Sequence, residues 1–470
     1  MTCSGDSRLS SYCDRILGCV EISGADRFDP AERTHNVAGF WSTFQFWAGC
    51  NVTPLNIVLG ILGIFQYRLD VVDAFTITII ASTVGSTATG AIARYGPLSG
   101  LRTMMMARFT HGWNASRVIS ILNALMLVAF LVVDTISCRD IMGIFLPDHA
   151  CASTIVIVVL STVASLLAAV GGSTLGFIGR WGWRPQLISM AMLVGGCLMD
   201  IYTRDRSSSV PSASRPSDEV HLRLGFGVLV CNTVLVFSLA GGDFSQGFSE
   251  DSAMWKVILG PTAGLAMSHI VFVSVGLVVG ETARRDERLS WNLSKSPAAL
   301  IGLYFQRLGP VGTLCAVCFV LGSFSAITAG IYVAAVPLGP VFERYDRWTR
   351  VACTTAIGVA VIICANVGRD HLTTILQSIA ALVGSLVLVW LVTSIMDLEL
   401  ARNKRPHWPD WNVSSRLPCR ANTLLASAAG TTFAILAIDQ SWWTGPIARV
   451  AGSARPFVRS IVVVPKCLFD

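Results

Sequence analysis

The 470-residue chain is too apolar to be a soluble globular protein. Hydrophobic residue types make up 53% of it, charged types make up only 14%, and the mean hydropathy is +0.61. A soluble protein carries roughly 25% charged residues. The net charge of +6 comes from basic residues that mostly lie in short loops, as in oriented membrane proteins. These values exclude a soluble enzyme, a secreted disulfide scaffold, a disordered protein and a nucleic-acid-binding protein.

Long apolar stretches recur along the chain, and each approaches the length that crosses a bilayer, about 20 residues. They are, in chain order, Ala38–Phe65, Val71–Ala93, Val118–Ser137, Thr154–Val170, Leu187–Tyr202, Leu224–Ala240, Val257–Val279, Val311–Val336, Val351–Val367, Ile375–Met396 and Ala421–Ile438. This pattern predicts an all-α, polytopic membrane protein.

The first ten stretches form two groups of five, joined by a polar loop rich in serine and proline, a composition typical of flexible linkers. The predicted organisation is a cytosolic N-terminal tail (1–36), a first five-helix repeat (37–202), the flexible loop (203–222), a second five-helix repeat (223–397) and a terminal region (398–470). Arginines in the short loops favour an N-terminus on the inside. The glycosylation sequon Asn292-Leu293-Ser294 then lies outside.

The end of the chain offers no ordinary twelfth span. Beyond Ile438 the last apolar run is Ile461–Pro465, which is too short to cross a bilayer. Either the tail lies on the membrane interface, or a twelfth span has been lost or altered.

Two stretches are interrupted by residues that weaken a helix. In the first, Pro54 removes a backbone donor, and Asn51, Thr53 and Asn56 add polar groups. In the sixth, Phe237 and Ser238 precede a Gly-Gly pair. Paired broken helices in two repeats indicate a transporter's binding site. The alternative is that the glycines only let helices pack closely.

One carboxylate lies inside an apolar stretch. Asp134 follows Leu127–Val133, and an ionisable group at that depth is costly unless it is hydrated or paired. We therefore expect it to bind substrate or to carry a proton. Phe130 lies one helical turn earlier on the same face, and Phe237 is the candidate second plate for stacking on a flat ring. The alternatives are that Asp134 lies at the membrane interface and that both rings are core or lipid-facing residues.

Hydroxyl side chains recur at near-helical spacing in the eighth stretch, at Ser323, Ser325 and Thr328. Together with carbonyls freed at the first interruption, they are candidates for a cation cage. Hydroxyls in helices also bond harmlessly to their own backbone. His269 is interpreted as a packed, hydrogen-bonded histidine. No spacing indicates a catalytic centre or a metal site, and no cofactor is expected.

Motif residues that extend over most of residues 30–450 fall into four groups. They are Phe46–Asn51 with Gly60–Gly63; Tyr95–Met104 leading to Arg108; Gly242–Ser245 with Glu250, Asp251, Trp255 and Lys256; and Gly368–His371 with Leu398–Glu399, Leu417–Pro418 and Trp443–Ala448. In these motifs the chain resembles the nucleobase:cation symporter family (purine–cytosine permease family), in its fungal purine–cytosine permease branch.

The resemblance implies a LeuT-like 5+5 inverted repeat with 11–12 transmembrane helices, the last one here short or degenerate. It also implies proton-driven import of a nucleobase or similar heterocycle, since members of the branch carry cytosine, purines or vitamin B6. Four sites depart from the family pattern. Phe130 and Phe237 replace tryptophans, Asp134 replaces a common asparagine, and Ala326–Gly330 replaces an asparagine-rich run.

Residues and resemblance together predict a secondary active transporter, a proton symporter, of a nucleobase or related small nitrogenous heterocycle in the plasma membrane. The substrate-binding residues are expected to be Asn51, Thr53, Asn56, Phe130, Asp134, Phe237 and Ser238, and the coupling residues Asp134, Ser325 and Thr328. The partners are the small-molecule substrate (a purine, cytosine or similar heterocycle), a proton or other cation, and the lipid membrane. The alternative is a non-transporting or degenerate permease paralogue that acts as a membrane sensor.

Overall fold

Helices make up almost all of the chain that the computed structural model describes. The described residues are 39–146, 150–171, 177–178, 181–203, 216–249, 251–286, 296–342, 347–400, 406–417, 420–440 and 443–454. The predicted N-terminal tail, the sequon at Asn292 and the apolar run Ile461–Pro465 lie outside them.

The helices follow one another in a single series. They are α1 (Phe40–Cys50), α2 (Pro54–Phe65), α3 (Val71–Ala93), α4 (Tyr95–Ser99), α5 (Thr103–His111), α6 (Trp113–Gly143), α7 (Ala150–Val170), α8 (Arg184–Thr203), α9 (Pro216–Leu235), α10 (Met254–Arg284), α11 (Pro297–Arg307), α12 (Gly309–Ala335), α13 (Arg347–Val367), α14 (Leu372–Leu400), α15 (Ala421–Ala437) and α16 (Pro446–Ala454). Each of the predicted apolar stretches overlaps a helix, the first overlapping both α1 and α2.

Seven described helical segments are long and apolar enough to cross a bilayer, and α1 with α2 makes an eighth span. The apolar segments Thr154–Val170 and Ala421–Ala437 are shorter. A two-residue hairpin follows α15, pairing Asp439 with Thr444. The nine-residue α16 comes next and is too short to cross.

The first span is broken, as its sequence predicts. Helices α1 and α2 meet at an angle of 62°, and residues 51–53 between them are not helical. Pro54 is the first residue of α2, a position where its missing N–H costs no helical hydrogen bond. The break therefore follows from local sequence.

The sixth span also loses its α-helical geometry partway. Helix α9 ends at Leu235, a 3₁₀ turn covers Val236–Ala240, and turns continue through residue 247. Helix α9 begins at Pro216, within the predicted loop 203–222, whereas the membrane-spanning segment begins at Leu222. Proline favours the first position of a helix, where its fixed φ suits the helix and no donor is needed. Residues 204–215 lie outside the described residues, and the bounds of the loop stay a prediction.

The spans pack in two groups, and equivalent pairings recur inside each group. In one group, α10 packs against both halves of the broken span and against α3, and α9 packs against α3. In the other, α6, α7, α12 and α13 pack on one another. The first span pairs with α10 as α9 pairs with α3, and α8 pairs with α12 as α14 pairs with α6. Each of these equivalences relates spans that are five apart in the chain, as an inverted repeat of five helices requires.

A buried histidine joins three helices of the first group. The His269 Nδ1 atom lies 2.8 Å from Ser82 Oγ of α3, and its Nε2 atom lies 3.2 Å from Thr233 Oγ1 of α9. The ring is fully buried, as expected for a packed, hydrogen-bonded histidine. Its two bonds tie α3, α9 and α10 together.

We expect His269→Leu to lower the free energy of unfolding by about 1–3 kcal/mol, because it leaves buried hydroxyls without their partner. A thermal melt of the purified protein measures this. His371, exposed just before α14, provides the control, and His371→Leu should change the melting temperature little. Equal melting temperatures for both variants would contradict the structural role.

Candidate functional site

Asp134 lies inside α6 and is buried, with 6% of its surface exposed. The helix continues past Asp134 to Gly143. The Oδ1 atom of Asp134 accepts a hydrogen bond from the backbone N–H of Leu55 at 3.3 Å. Leu55 belongs to the first turn of α2, so the carboxylate lies at the N-terminus of the second half of the broken span.

This contact has a clear electrostatic cause. The first amides of a helix have no intrahelical partner, and the helix dipole makes that end positive. Thr53 precedes α2, but its side chain makes no capping hydrogen bond to the helix; instead it interacts with Asp134. The side chain of Asp134 on α6 thus supplies a hydrogen-bond acceptor at this end of α2.

The two asparagines at the break face another helix. The Asn56 Nδ2 atom donates to Asn51 O at 2.6 Å and to Asn51 Oδ1 at 3.1 Å. The Asn51 Nδ2 atom reaches Leu265 O and Ser268 Oγ of α10, both at 3.4 Å. The predicted polar residues therefore divide into two sets: Thr53 contacts Asp134, whereas Asn51 and Asn56 bond each other and α10.

The two predicted stacking rings have different surroundings. Phe130 is buried in the main core. Phe237, in the 3₁₀ turn of the sixth span, is half-buried and lies edge-on to Trp47 of α1, with ring centroids 6.0 Å apart. Ser238, next to it, is fully buried, and its hydroxyl has no hydrogen-bond partner within the described chain.

The predicted coupling residues of the eighth span bond to their own helix. Ser325 Oγ donates to Gly322 O at 2.7 Å, and Thr328 Oγ1 donates to Phe324 O at 2.8 Å. At the break, Asn51 O already accepts the Asn56 amide. A cation cage would require these hydroxyls to turn away from their own backbone, so the cation site stays a prediction.

Three aromatic residues next to the breaks were missed by reasoning from sequence. Phe46 and Trp47 of α1 contact each other and Phe244, which follows the sixth-span break. The signal was available, because Phe46 and Trp47 begin the first family motif and Phe244 lies in the third. An isolated aromatic residue in a span does not reveal its partner, so neither motif indicated the contact.

Residues 30–285 match the protein family described as "Permease for cytosine/purines, uracil, thiamine, allantoin", which is more than half of the chain. The chain belongs to this family. The purine-cytosine permease fcyB of Emericella nidulans is 22% identical to this permease over 449 residues, covering 92% of this chain and 84% of the relative. The vitamin B6 transporter TPN1 of Saccharomyces cerevisiae is 23% identical over 377 residues, which cover 78% of this chain and 63% of TPN1.

Solved transporters share the fold of this permease. Mhp1, a nucleobase-cation-symport-1 family transporter in a closed conformation with bromovinylhydantoin bound, is 15% identical and aligns with a TM-score of 0.59 over 94% of this chain and 99% of Mhp1. MhsT in complex with L-phenylalanine is 11% identical and aligns with a TM-score of 0.53 over 85% of this chain and 99% of MhsT. The fold is the predicted LeuT-like inverted repeat. The chain is a multi-pass membrane protein of a permease family rather than an enzyme.

Proposed function

We propose that this permease is a secondary active importer of a small nitrogenous heterocycle, coupled to protons, in the plasma membrane. The observation that carries the proposal is the buried Asp134 carboxylate at the N-terminus of α2, where the first span is broken. A carboxylate at that depth is costly, and a binding or proton-carrying role accounts for its presence.

The ligand would lie between the broken spans and the third and eighth spans. Phe130, one turn before Asp134 on α6, offers a ring face, and Phe237 offers a second if it turns away from Trp47. Asp134 would bind N–H groups on the ring edge, helped by Thr53 and by the unpaired hydroxyl of Ser238. Asn51 and Asn56 would contribute once the ligand replaces part of their mutual hydrogen bonding.

Charge at the break restricts the ligand. The positive end of a half-helix can bind an anionic substrate group, but in this permease Asp134 occupies that end of α2. A substrate carboxylate would meet a second carboxylate. The permease should therefore accept heterocycles that present N–H donors and reject those that carry an acidic group.

An uptake panel tests the proposal. Cells that lack their own nucleobase uptake, and that express the permease, should accumulate at least one of radiolabelled cytosine, hypoxanthine, uracil and pyridoxine. Uptake should be faster at acidic than at neutral external pH and should fall when an uncoupler is added. Nicotinamide and nicotinate form a matched pair, and nicotinate should compete at least tenfold more weakly, a difference of about 1.4 kcal/mol. Equal competition by nicotinamide and nicotinate would contradict the prediction that Asp134 excludes acidic ligands.

A non-transporting sensor is the second candidate. It is favoured by the eighth span, where Ala326–Gly330 replaces the asparagine-rich run of the family and where Ser325 and Thr328 bond their own backbone. A sensor should bind a heterocycle in a thermal-shift assay of the purified protein and yet give no uptake in the same panel. Flux of any panel member would exclude it.

A further inference from the structure

Two sequence motifs far apart in the chain form one contact. The segment Tyr95–Met104 lies between the second and third spans, and Gly242–Ser245 follows the sixth-span break. The backbone N–H of Thr103 donates to Asp243 Oδ1 at 2.7 Å, and Gly242 N donates to Thr103 Oγ1 at 3.0 Å. Asp243 Oδ2 lies 4.0 Å from Arg102 Nη1. We call Arg102, Thr103 and Asp243 the clamp.

The clamp is buried and well matched electrostatically. The side chains of Arg102 and Asp243 are 6% and 5% exposed. Helix α5 begins at Thr103, and Arg102 at its N-cap gives no side-chain capping bond; the carboxylate of Asp243 serves that end of α5 instead, as the helix dipole favours. Burying an ion pair is stabilising only when further hydrogen bonds satisfy it, and the backbone N–H of Thr103 donates one to the Asp243 carboxylate.

A third anchor holds the same turn on its other side. The Ser245 hydroxyl donates to Ala93 O at the end of α3, at 2.7 Å. A side chain at Gly96 would collide with Ser245 Oγ and would come within 2.8 Å of Gly242 O, so only glycine lets the loop approach this closely. Residues 242, 243 and 245 are thus all fixed to the loop between the second and third spans.

The remaining residue of this turn, Phe244, closes the space toward the first span. Its ring lies 4.2 Å from the ring of Phe46 on α1, centroid to centroid, at 34°. Trp47 meets Phe244 edge-on at 5.5 Å. These rings lie on the side of the break that faces the start of α1, which we call the N-terminal side. Cys50, one helical turn after Phe46 and on the same face of α1, lies deeper.

We propose that Phe46 and Phe244 form the gate that closes the substrate path on the N-terminal side, and that the clamp positions Phe244 in it. The inference rests on the proposed transport function. The clamp residues bind no substrate and act through Phe244 alone. The gate opens when Phe244 leaves Phe46, which requires the turn 242–245 to move relative to α5.

Labelling of Cys50 tests the gate without any substrate. A full-length variant keeps Cys50 as its one cysteine, and a membrane-impermeant maleimide is applied from the N-terminal side in oriented vesicles. Phe244→Ala and Asp243→Asn should each raise the labelling rate about tenfold, because loss of a hydrogen-bonded charge shifts a closed–open equilibrium by about that factor. The rate from the opposite side should not rise, which separates gate opening from general unfolding.

Asp73→Asn is the matched control. Asp73 pairs with Arg223 between the second and sixth spans, but this pair is 41% and 43% exposed and lies at the other end of α3. In Asp73→Asn, the labelling rate of Cys50 should equal that of the parent. If Asp243→Asn misfolds, Thr103→Val, which removes only the hydroxyl that Gly242 uses, should still speed labelling, and Thr103→Ser should restore the parent rate.

Parent-like labelling in Phe244→Ala would overturn the gate, and parent-like labelling in both Asp243→Asn and Thr103→Val would overturn the clamp. Failure of the transport proposal gives a different result, because the uptake panel would then be negative while Cys50 labelling still responded to the variants.

Discussion

Replacing Asp134 with asparagine is expected to lower uptake of the permease's substrate strongly while the protein still folds. Asparagine keeps the shape of the side chain, and its Oδ1 atom can still accept from Leu55 N, where Asp134 accepts at 3.3 Å. It cannot carry the negative charge or exchange a proton. Loss of a hydrogen bond to a charged group costs about 1.5–3 kcal/mol, so uptake should fall on the order of 10- to 100-fold.

The measurement is initial uptake per amount of permease at the cell surface, at acidic and at neutral pH. Asp140→Asn is the control on the same helix, because Asp140 is buried but pairs with Arg139 at 2.6 Å near the end of α6. Asp140→Asn should lower the amount of permease at the cell surface more than it lowers uptake per permease molecule. Unchanged uptake and unchanged pH dependence in Asp134→Asn would make Asp134 a structural cap of α2 and nothing more.

The spans and the breaks could be predicted from sequence because their causes are local. An apolar run of sufficient length specifies a spanning helix by itself. Pro54 indicates the start of α2, because proline favours the first position of a helix whatever residues lie around it. The start of α9 at Pro216 follows the same rule, but the serine- and proline-rich composition around it outweighed that signal.

The partners of the site residues could not be predicted, because they lie far away in the chain. Asn51 and Ser268 are separated by 217 positions, and Thr103 and Asp243 by 140. The sequence places Asp134 inside an apolar stretch and Asp243 in a family motif. It does not show that each lies at the N-terminus of a helix from another part of the chain. Similarly, Phe237 was paired with Phe130 by chemical type, whereas the structure places it against Trp47.

Adding one methyl group at Gly60 or Gly276 is expected to destabilise the fold, whereas the same change at Gly196 should not. Helices α2 and α10 cross with their backbones in contact. A Cβ atom at Gly276 would collide with Ile57 O and lie 2.9 Å from Gly60 Cα, and one at Gly60 would collide with Val273 O. Backbone atoms cannot rotate away, so the two helices must separate.

Overpacking of this kind costs about 1–3 kcal/mol, and Gly60→Ala and Gly276→Ala should therefore lower the melting temperature in detergent. Gly196 on α8 has no atom within 4 Å of an added Cβ, so Gly196→Ala gains about 0.5–1 kcal/mol from the higher helix propensity of alanine. Opposite signs at the two kinds of site would show that close packing, and not loss of backbone freedom, decides the outcome. A destabilisation shared by all three variants would contradict the close crossing, which holds α2 where its N-terminus meets Asp134.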